Sequence, residues 1–168
     1  MKISKTITFF LLTLYLGEFA MASNLEKAKT AFNKLNINNL GVVDDFYDAD
    51  ADFQDPIHAI KGVKAIRSYY EGLYKNVDSI RFDFKNVAEA GNLVTLEWTM
   101  YLKTPALNGG KEMSLDGVSV ITFGGKDGKA ILHRDYFDMG EFIYEKVPVL
   151  SSIVGFIKNK MKGSGEIH

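Results

Sequence analysis

In the first half of the chain, apolar residues recur every three or four positions, the spacing that places them on one face of a helix. This pattern predicts three helices. The first follows the capping box Ser23-x-x-Glu26, the second is short and covers residues 40–47, and the third covers Val63–Val77. Between the last two, Asp and Ala alternate over residues 48–52. We expect a turn there, leading into a short strand around Phe53.

In the second half the apolar period changes to two, which is typical of strands with one buried face. Four long strands are predicted, at Ile80–Glu89, Leu93–Lys103, Met113–Phe123 and Ala130–Asp138. A run of helices followed by a run of strands predicts an α+β domain. We expect a cone-shaped, curved antiparallel sheet wrapped over the N-terminal helices, with an extra C-terminal helix within Phe142–Lys162.

The first 22 residues have the pattern of a secretory signal peptide. Lys2 and Lys5 precede the apolar run Ile7–Leu16, and Ala20-Met21-Ala22 is a suitable cleavage site. A membrane anchor is the alternative, but the run is shorter than the roughly 20 apolar residues that a spanning helix needs. We therefore predict a signal peptide over residues 1–22 and a periplasmic or secreted protein. Residues 23–147 would form the cone domain, and residues 148–168 a C-terminal amphipathic helix and tail.

The composition of the chain excludes several kinds of partner and of reactive site. The formal net charge of −1 gives no basic field for phosphate, so we expect no nucleic-acid partner. The absence of cysteine excludes disulfides, a thiol nucleophile and a cysteine zinc site. No helical H-x-x-x-H spacing is present, so we expect no metal and no other cofactor. Twelve Phe and eight Tyr allow an aromatic-lined cavity.

Three side chains are the candidates for acid/base chemistry. Asp55 precedes Pro56 at a strand end, where it could act as a base or could simply accept hydrogen bonds in an Asx turn. His133 and Asp135 are two positions apart on a strand and share one face. They could form an acid/base pair facing the cone, with Asp135 as the base, or belong to a structural polar network.

Five further residues are candidates for lining a ligand site. Glu97 and Trp98 lie on opposite faces of one strand, and the sequence does not say which face lines the cone. The whole set of candidate ligand-binding residues is Tyr69, Trp98, Glu97, Ser119 and His58.

The chain resembles the nuclear transport factor 2 superfamily, in its SnoaL-like and ketosteroid isomerase-like branch. The resemblance rests on the segment Phe46–Pro56, Gly62 before the third helix, Trp98 in a long strand, and the closing strand His133–Asp138. It implies a homodimer and a cone that binds a small apolar molecule. It also implies acid/base chemistry of the isomerase, cyclase or dehydratase type. A non-enzymatic ligand-binding or protein-assembly module is the alternative.

Different members of this superfamily imply different site residues. In ketosteroid isomerase-like enzymes the base falls at Asp55, but their oxyanion-hole tyrosine and aspartate fall near Ala31 and Ser119 here. SnoaL-like cyclases imply an inward acid/base at Asp135. Limonene epoxide hydrolase-like enzymes need Arg-x-Asp on one strand, whereas Arg134 and Asp135 are adjacent and point to opposite faces.

The C-terminal segment has the pattern of a basic amphipathic helix. Its apolar face comprises Leu150, Ile153, Val154, Ile157 and Met161, and Lys158, Lys160 and Lys162 lie nearby. Such a helix can make weak contact with an anionic membrane surface. It can also cap the cone or pack on a partner.

Overall fold

The computed structural model describes residues 22–142 and 148–162. The helices are α1 (Asn24–Lys34), α2 (Gly41–Phe46), α3 (Val63–Tyr74), α4 (Met139–Phe142) and α5 (Pro148–Lys162). The strands are β1 (Tyr47–Gln54), β2 (Ala59–Lys61), β3 (Ser79–Ala90), β4 (Leu93–Lys103), β5 (Met113–Phe123) and β6 (Ala130–Phe137). Within the described ranges, no helix has the length and apolarity needed to cross a membrane. The predicted signal peptide lies outside these ranges except for Ala22.

The strands of the described chain form one open sheet in the order β2-β1-β6-β5-β4-β3. Strands β3 to β6 pair antiparallel with their neighbours in sequence, as predicted. The α+β class with helices against a sheet is therefore confirmed. The sheet is mixed rather than wholly antiparallel, because β1 runs parallel to β6. A parallel pair needs a long connection, and everything from β2 to β5 lies between these two strands.

The segment after α2 differs from the prediction. Residues 48–52 were expected to form a turn, but β1 already begins at Tyr47. The Asp-Ala alternation has a strand period, with Ala51 and Phe53 buried. Pairing with β6 on one side and β2 on the other outweighs the low strand propensity of Asp. The three-residue strand β2 was not predicted, and α3 ends at Tyr74 rather than at Val77.

Helix α1 is fixed to the sheet at its first turn. The Ser23 hydroxyl accepts from the Glu26 amide at 3.2 Å, as the capping box predicts. The Glu89 carboxylate of β3 accepts from the amides of Asn24 and Leu25. Ala28 then packs in the core at 0% exposure. These contacts place α1 across the sheet and leave a space between them.

Burial along β4 shows which face of the sheet lies against the helices. Leu96 and Trp98 are buried on the helix side. Glu97 points to the outer face, where its carboxylate accepts from the Asn86 amide at 2.6 Å. The expectation that Glu97 lines the cone is therefore not met, because its register on β4 directs it away from the helices.

Candidate functional site

A cavity of about 220 Å³ lies between the helices and the inner face of the sheet. Six aromatic side chains form much of its wall: Phe32, Phe46, Phe53, Phe82, Trp98 and Phe137. The polar groups are four tyrosines, His58 and two carboxylates, Asp55 and Asp135. Exposed Ile57 and Leu73 also contribute to the lining, which places them at the cavity entrance. The site is thus an apolar pocket with few polar groups, the usual character of a small-molecule site.

A buried chain of two hydrogen bonds, from Trp98 through Ser119, fixes one oxygen of the Asp135 carboxylate. The indole Nε1 of Trp98 donates to Ser119 Oγ at 2.9 Å, and Ser119 Oγ donates to Asp135 Oδ1 at 2.5 Å. Ser119 has no exposed surface and occupies the register position opposite Asp135 on the neighbouring strand. Because Ser119 must accept from Trp98, its own proton is directed to the carboxylate.

A second chain reaches the same oxygen. His133 Nε2 lies 2.9 Å from Asp135 Oδ1, and His133 Nδ1 lies 2.5 Å from Tyr47 Oη. Tyr47 Oη is in turn 3.3 Å from Tyr70 Oη. Because the Asp135 carboxylate accepts, Nε2 carries a proton. In the neutral form of the ring, Nδ1 then accepts from Tyr47 Oη, and Tyr47 in turn accepts from Tyr70.

Both chains end on Oδ1 and leave Oδ2 of Asp135 available. Among the described residues, no hydrogen bond reaches Oδ2, and no fully buried side-chain oxygen lacks a partner. Oδ2 must therefore be accessible, and the cavity is the space that Asp135 lines. A carboxylate with one oxygen fixed and one free is suited to accept a proton from a ligand.

Asp55 lines the same cavity, and both of its carboxylate oxygens accept hydrogen bonds. Oδ1 accepts from the amides of Ile57 at 2.7 Å and His58 at 2.6 Å, which is the Asx turn named above. Oδ2 accepts from His58 Nδ1 at 3.0 Å and from Tyr69 Oη at 2.8 Å. Burial alone would raise the pKa of Asp55, but the hydrogen bonds from His58, Ile57 and Tyr69 outweigh it and lower the pKa. Asp55 is therefore a weak base in this setting.

Four tyrosines line the same cavity as Asp135 and remain protonated. Burial raises the pKa of Tyr47, Tyr69, Tyr70 and Tyr74, and the charge of Asp135 raises each further. Three of these hydroxyls already contact another side chain in the site. The Tyr74 hydroxyl has no hydrogen-bond partner among the described residues, and since no fully buried oxygen is unsatisfied, it opens to the cavity. Tyr74 can donate to a ligand oxygen.

The structure brings most of the predicted residues together. Asp55, Asp135, Tyr69, Trp98 and His58 line the cavity. His133 and Ser119 lie behind Asp135 and support it, so they are not lining residues. Glu97 is outside the site.

Sequence reasoning missed Tyr47, Tyr70 and Tyr74. Tyr47 was assigned to a helix end, although it opens β1 and points inward. Tyr70 and Tyr74 lie four apart on α3, and this spacing could have placed both on its inner face. No group of three or more His, Asp or Glu side chains suited to a metal was found in residues 22–142 and 148–162.

Comparisons with known proteins agree with this fold. A family model described as a SnoaL-like domain matches residues 28–133. A search of curated proteins finds no significant match. Many solved structures are similar.

Three of these structures illustrate the likeness. An NTF2-like protein of unknown function from Burkholderia pseudomallei is 17% identical, with 76% of this chain and 99% of that chain covered and a TM-score of 0.64. An LEH-like epoxide hydrolase from M. tuberculosis is 19% identical, covering 78% and 94%, with a TM-score of 0.61. TerC co-crystallised with polyporic acid is 20% identical, covering 71% and 94%, with a TM-score of 0.60.

Proposed function

The chain belongs to the SnoaL-like domain family, and from this premise we propose that its cavity binds a small apolar carbonyl compound and moves a proton on it. Asp135 is the base, and Tyr74 is the donor to the ligand oxygen. The observation that carries this proposal is the one-sided hydrogen bonding of Asp135, whose Oδ1 is fixed by Ser119 and His133. The reaction would be of the isomerase, cyclase or dehydratase type.

Cavity size and lining support the ligand class. An apolar cavity of about 150 Å³ holds benzene, so 220 Å³ suits a ligand of one or two rings. The aromatic wall favours a flat ring, and the few polar groups favour one or two oxygens. TerC, which is similar in fold, was crystallised with polyporic acid, and this is consistent with an aromatic oxygenated ligand here.

The proton transfer can be written on these atoms. Asp135 Oδ2 takes a proton from the carbon next to a carbonyl. The C–H electron pair becomes the C=C π bond of the enolate, and the carbonyl π pair moves onto the oxygen. The enolate oxygen accepts a hydrogen bond from Tyr74, a type of stabilisation that typically contributes about 10²–10³ in rate. The proton on Oδ2 then returns to the same carbon or to another carbon of the enolate. His133 and Ser119 keep the carboxylate oriented throughout.

Two other arrangements of catalytic residues receive less support. Asp55 lies where isomerase-like relatives carry their base, but its oxygens are occupied and its pKa is lowered. Arg134 is exposed and stacks over Tyr136 on the outer face. An Arg-x-Asp epoxide-hydrolase arrangement is therefore not part of the proposal.

The test uses β-tetralone, a two-ring ketone with an acidic C–H bond, in deuterium oxide. We expect the protein to quench or shift the emission of Trp98, its single tryptophan, and to accelerate exchange of the ketone's C–H protons measured by NMR. Asp135→Asn should bind the ketone and lose at least about a hundredfold in exchange rate. Asp55→Asn should retain most of the rate.

Other outcomes would redirect the assignment. Loss of exchange in Asp55→Asn, with Asp135→Asn active, would make Asp55 the base. Binding without accelerated exchange would favour the alternative, a non-enzymatic ligand-binding or assembly module. No binding of β-tetralone or related ring ketones would reject the ligand class.

Export and self-association are also part of the proposal. Residues 1–22 would direct the protein to the periplasm or the medium, which N-terminal sequencing of the secreted form would check. The outer sheet face carries exposed Leu132 and Tyr136, each 48% accessible. A homodimer through this face would appear in sedimentation analysis and weaken in Leu132→Glu.

A further inference from the structure

Helix α5 presents an apolar stripe to solvent. Ile153, Phe156, Ile157 and Met161 are 53%, 69%, 51% and 70% exposed. Their spacing of three and four residues places them on one side of the helix. Contiguous exposed apolar surface on a protein of this size marks an interaction site.

The charge on this helix is unlike that of the rest of the chain. Residues 148–162 include three lysines and no Asp or Glu. The remaining residues hold 17 basic and 21 acidic side chains, a formal charge of −4. A cationic helix on an anionic protein is matched by a negatively charged partner surface.

Geometry decides which kind of partner fits. Lys158 lies beside the apolar stripe on the helix surface. Lys160 lies one turn after Phe156 and therefore within the stripe. Both side chains are exposed. Long lysine stems can lie along apolar surface while their ammonium groups reach the headgroup level, so Lys160 does not interrupt burial of the stripe in lipid.

We propose that α5 is an interfacial helix that lies on anionic lipid, with Phe156, Ile157 and Met161 inserted among the acyl chains and Lys158 and Lys160 at the phosphates. Two lysines near an anionic bilayer and three inserted apolar side chains give reversible binding. The helix would hold the SnoaL-like domain at a membrane surface, where apolar molecules are concentrated.

The experiment is vesicle co-sedimentation of the full chain at low salt. Vesicles are made of phosphatidylcholine alone, or of phosphatidylcholine and phosphatidylglycerol in a three-to-one ratio. One variant combines Phe156→Ser with Ile157→Ser, and a second combines Lys158→Glu with Lys160→Glu. The matched control combines Lys64→Glu with Lys111→Glu, which makes the same charge change at exposed sites outside α5. Every sample keeps the amino-terminal apolar run, so its contribution is constant.

We expect the unmodified chain and the control to bind the anionic vesicles and to bind neutral vesicles weakly. Both α5 variants should bind anionic vesicles at least about tenfold less, and added salt should release the unmodified chain. No vesicle binding, or binding unchanged in both α5 variants, would overturn the proposal. A change in oligomeric state in the α5 variants, without any vesicle binding, would overturn it in favour of a protein partner.

Discussion

Ser119 Oγ lies 2.5 Å from Asp135 Oδ1, and the Ser119 side chain is wholly buried between Asp135 and Trp98. Ser119 connects Trp98 in the cavity wall to the carboxylate of Asp135. Because it accepts from the indole and donates to the carboxylate, it fixes the positions of both. Ser119 therefore has a supporting role at this cavity.

Ser119→Ala should destabilise the protein by about 1–3 kcal/mol, since it leaves the Trp98 N–H without a partner in the interior. The emission of Trp98 should shift as its hydrogen bond is lost. Urea unfolding followed by far-UV circular dichroism measures the first effect. Ser114→Ala on the same strand, where the side chain is exposed, is the control and should change stability by less than about 0.5 kcal/mol.

Tyr47→Phe should change the state of the His133 ring. The substitution removes the hydroxyl that lies 2.5 Å from Nδ1. Nitrogen NMR of the imidazole should show a clear shift at Nδ1 and a smaller one at Nε2. Tyr70→Phe removes only the longer contact to Tyr47, so its spectrum should stay close to that of the unmodified chain. Equal spectra for all three proteins would contradict the proposed hydrogen-bond chain.

The long strands were predictable because each carries a clear apolar alternation. Leu93–Lys103 and Met113–Phe123 were placed with the bounds that the structure has. Alternation also put His133 and Asp135 on one face. The apolar alternation does not tell which face of a strand lies against the helices, and for that reason Glu97 was named as a candidate although it lies on the outer face. The inner face is set by the position of α1 and α3 against the sheet.

The start of β1 was not predictable from local pattern. Asp and Ala have low strand propensity, and β1 exists because β6, about 80 residues later, pairs with it. Because the pattern placed Tyr47 at a helix end, its contact with His133 could not be predicted. The one-sided hydrogen bonding of Asp135 likewise depends on Ser119 from a neighbouring strand, a contact that needs the sheet register.

Gly117 is required by the position of Trp98. A Cβ at residue 117 would overlap the indole ring of Trp98, so Gly117→Ala must displace Trp98 or bend β5. We expect a loss of about 1–3 kcal/mol in unfolding free energy and a changed Trp98 emission. Gly72→Ala in α3 meets no atom within 4 Å and should stabilise by about 0.5–1 kcal/mol. If both variants had the same melting temperature, the packing of Trp98 on Gly117 would be rejected.

The ionisation of Asp55 should make the stability of the folded state depend on pH in the acid range. Burial opposes its charge, but the hydrogen bonds from His58, Ile57 and Tyr69 lower its pKa below the ordinary value of 3.8. The folded state thus favours the carboxylate, and this contribution is complete above the unfolded pKa and lost as pH falls through the folded one. The stability difference between the unmodified chain and Asp55→Asn should shrink over that acid range.

Melting temperatures at a series of pH values between neutral and strongly acid measure this effect. Asp50→Asn, at an exposed position of β1, the strand that ends just before Asp55, should give a difference that stays near zero throughout. A difference for Asp55→Asn that did not change with pH would mean that the Asp55 charge contributes nothing to folding.

Tyr69 and Tyr74 lie on one helix, and loss of the hydroxyl should affect stability more at Tyr69 than at Tyr74. Tyr69 Oη donates to Asp55 at 2.8 Å, so Tyr69→Phe should cost about 1–3 kcal/mol of stability. The Tyr74 hydroxyl opens to the cavity without a partner among the described residues, so Tyr74→Phe should cost less than about 1 kcal/mol. Proton exchange of β-tetralone should nevertheless fall about a hundredfold in Tyr74→Phe, because the enolate oxygen loses its donor. Exchange rates corrected for the folded fraction separate the two effects, and a fully active Tyr74→Phe would remove Tyr74 from the proposed site.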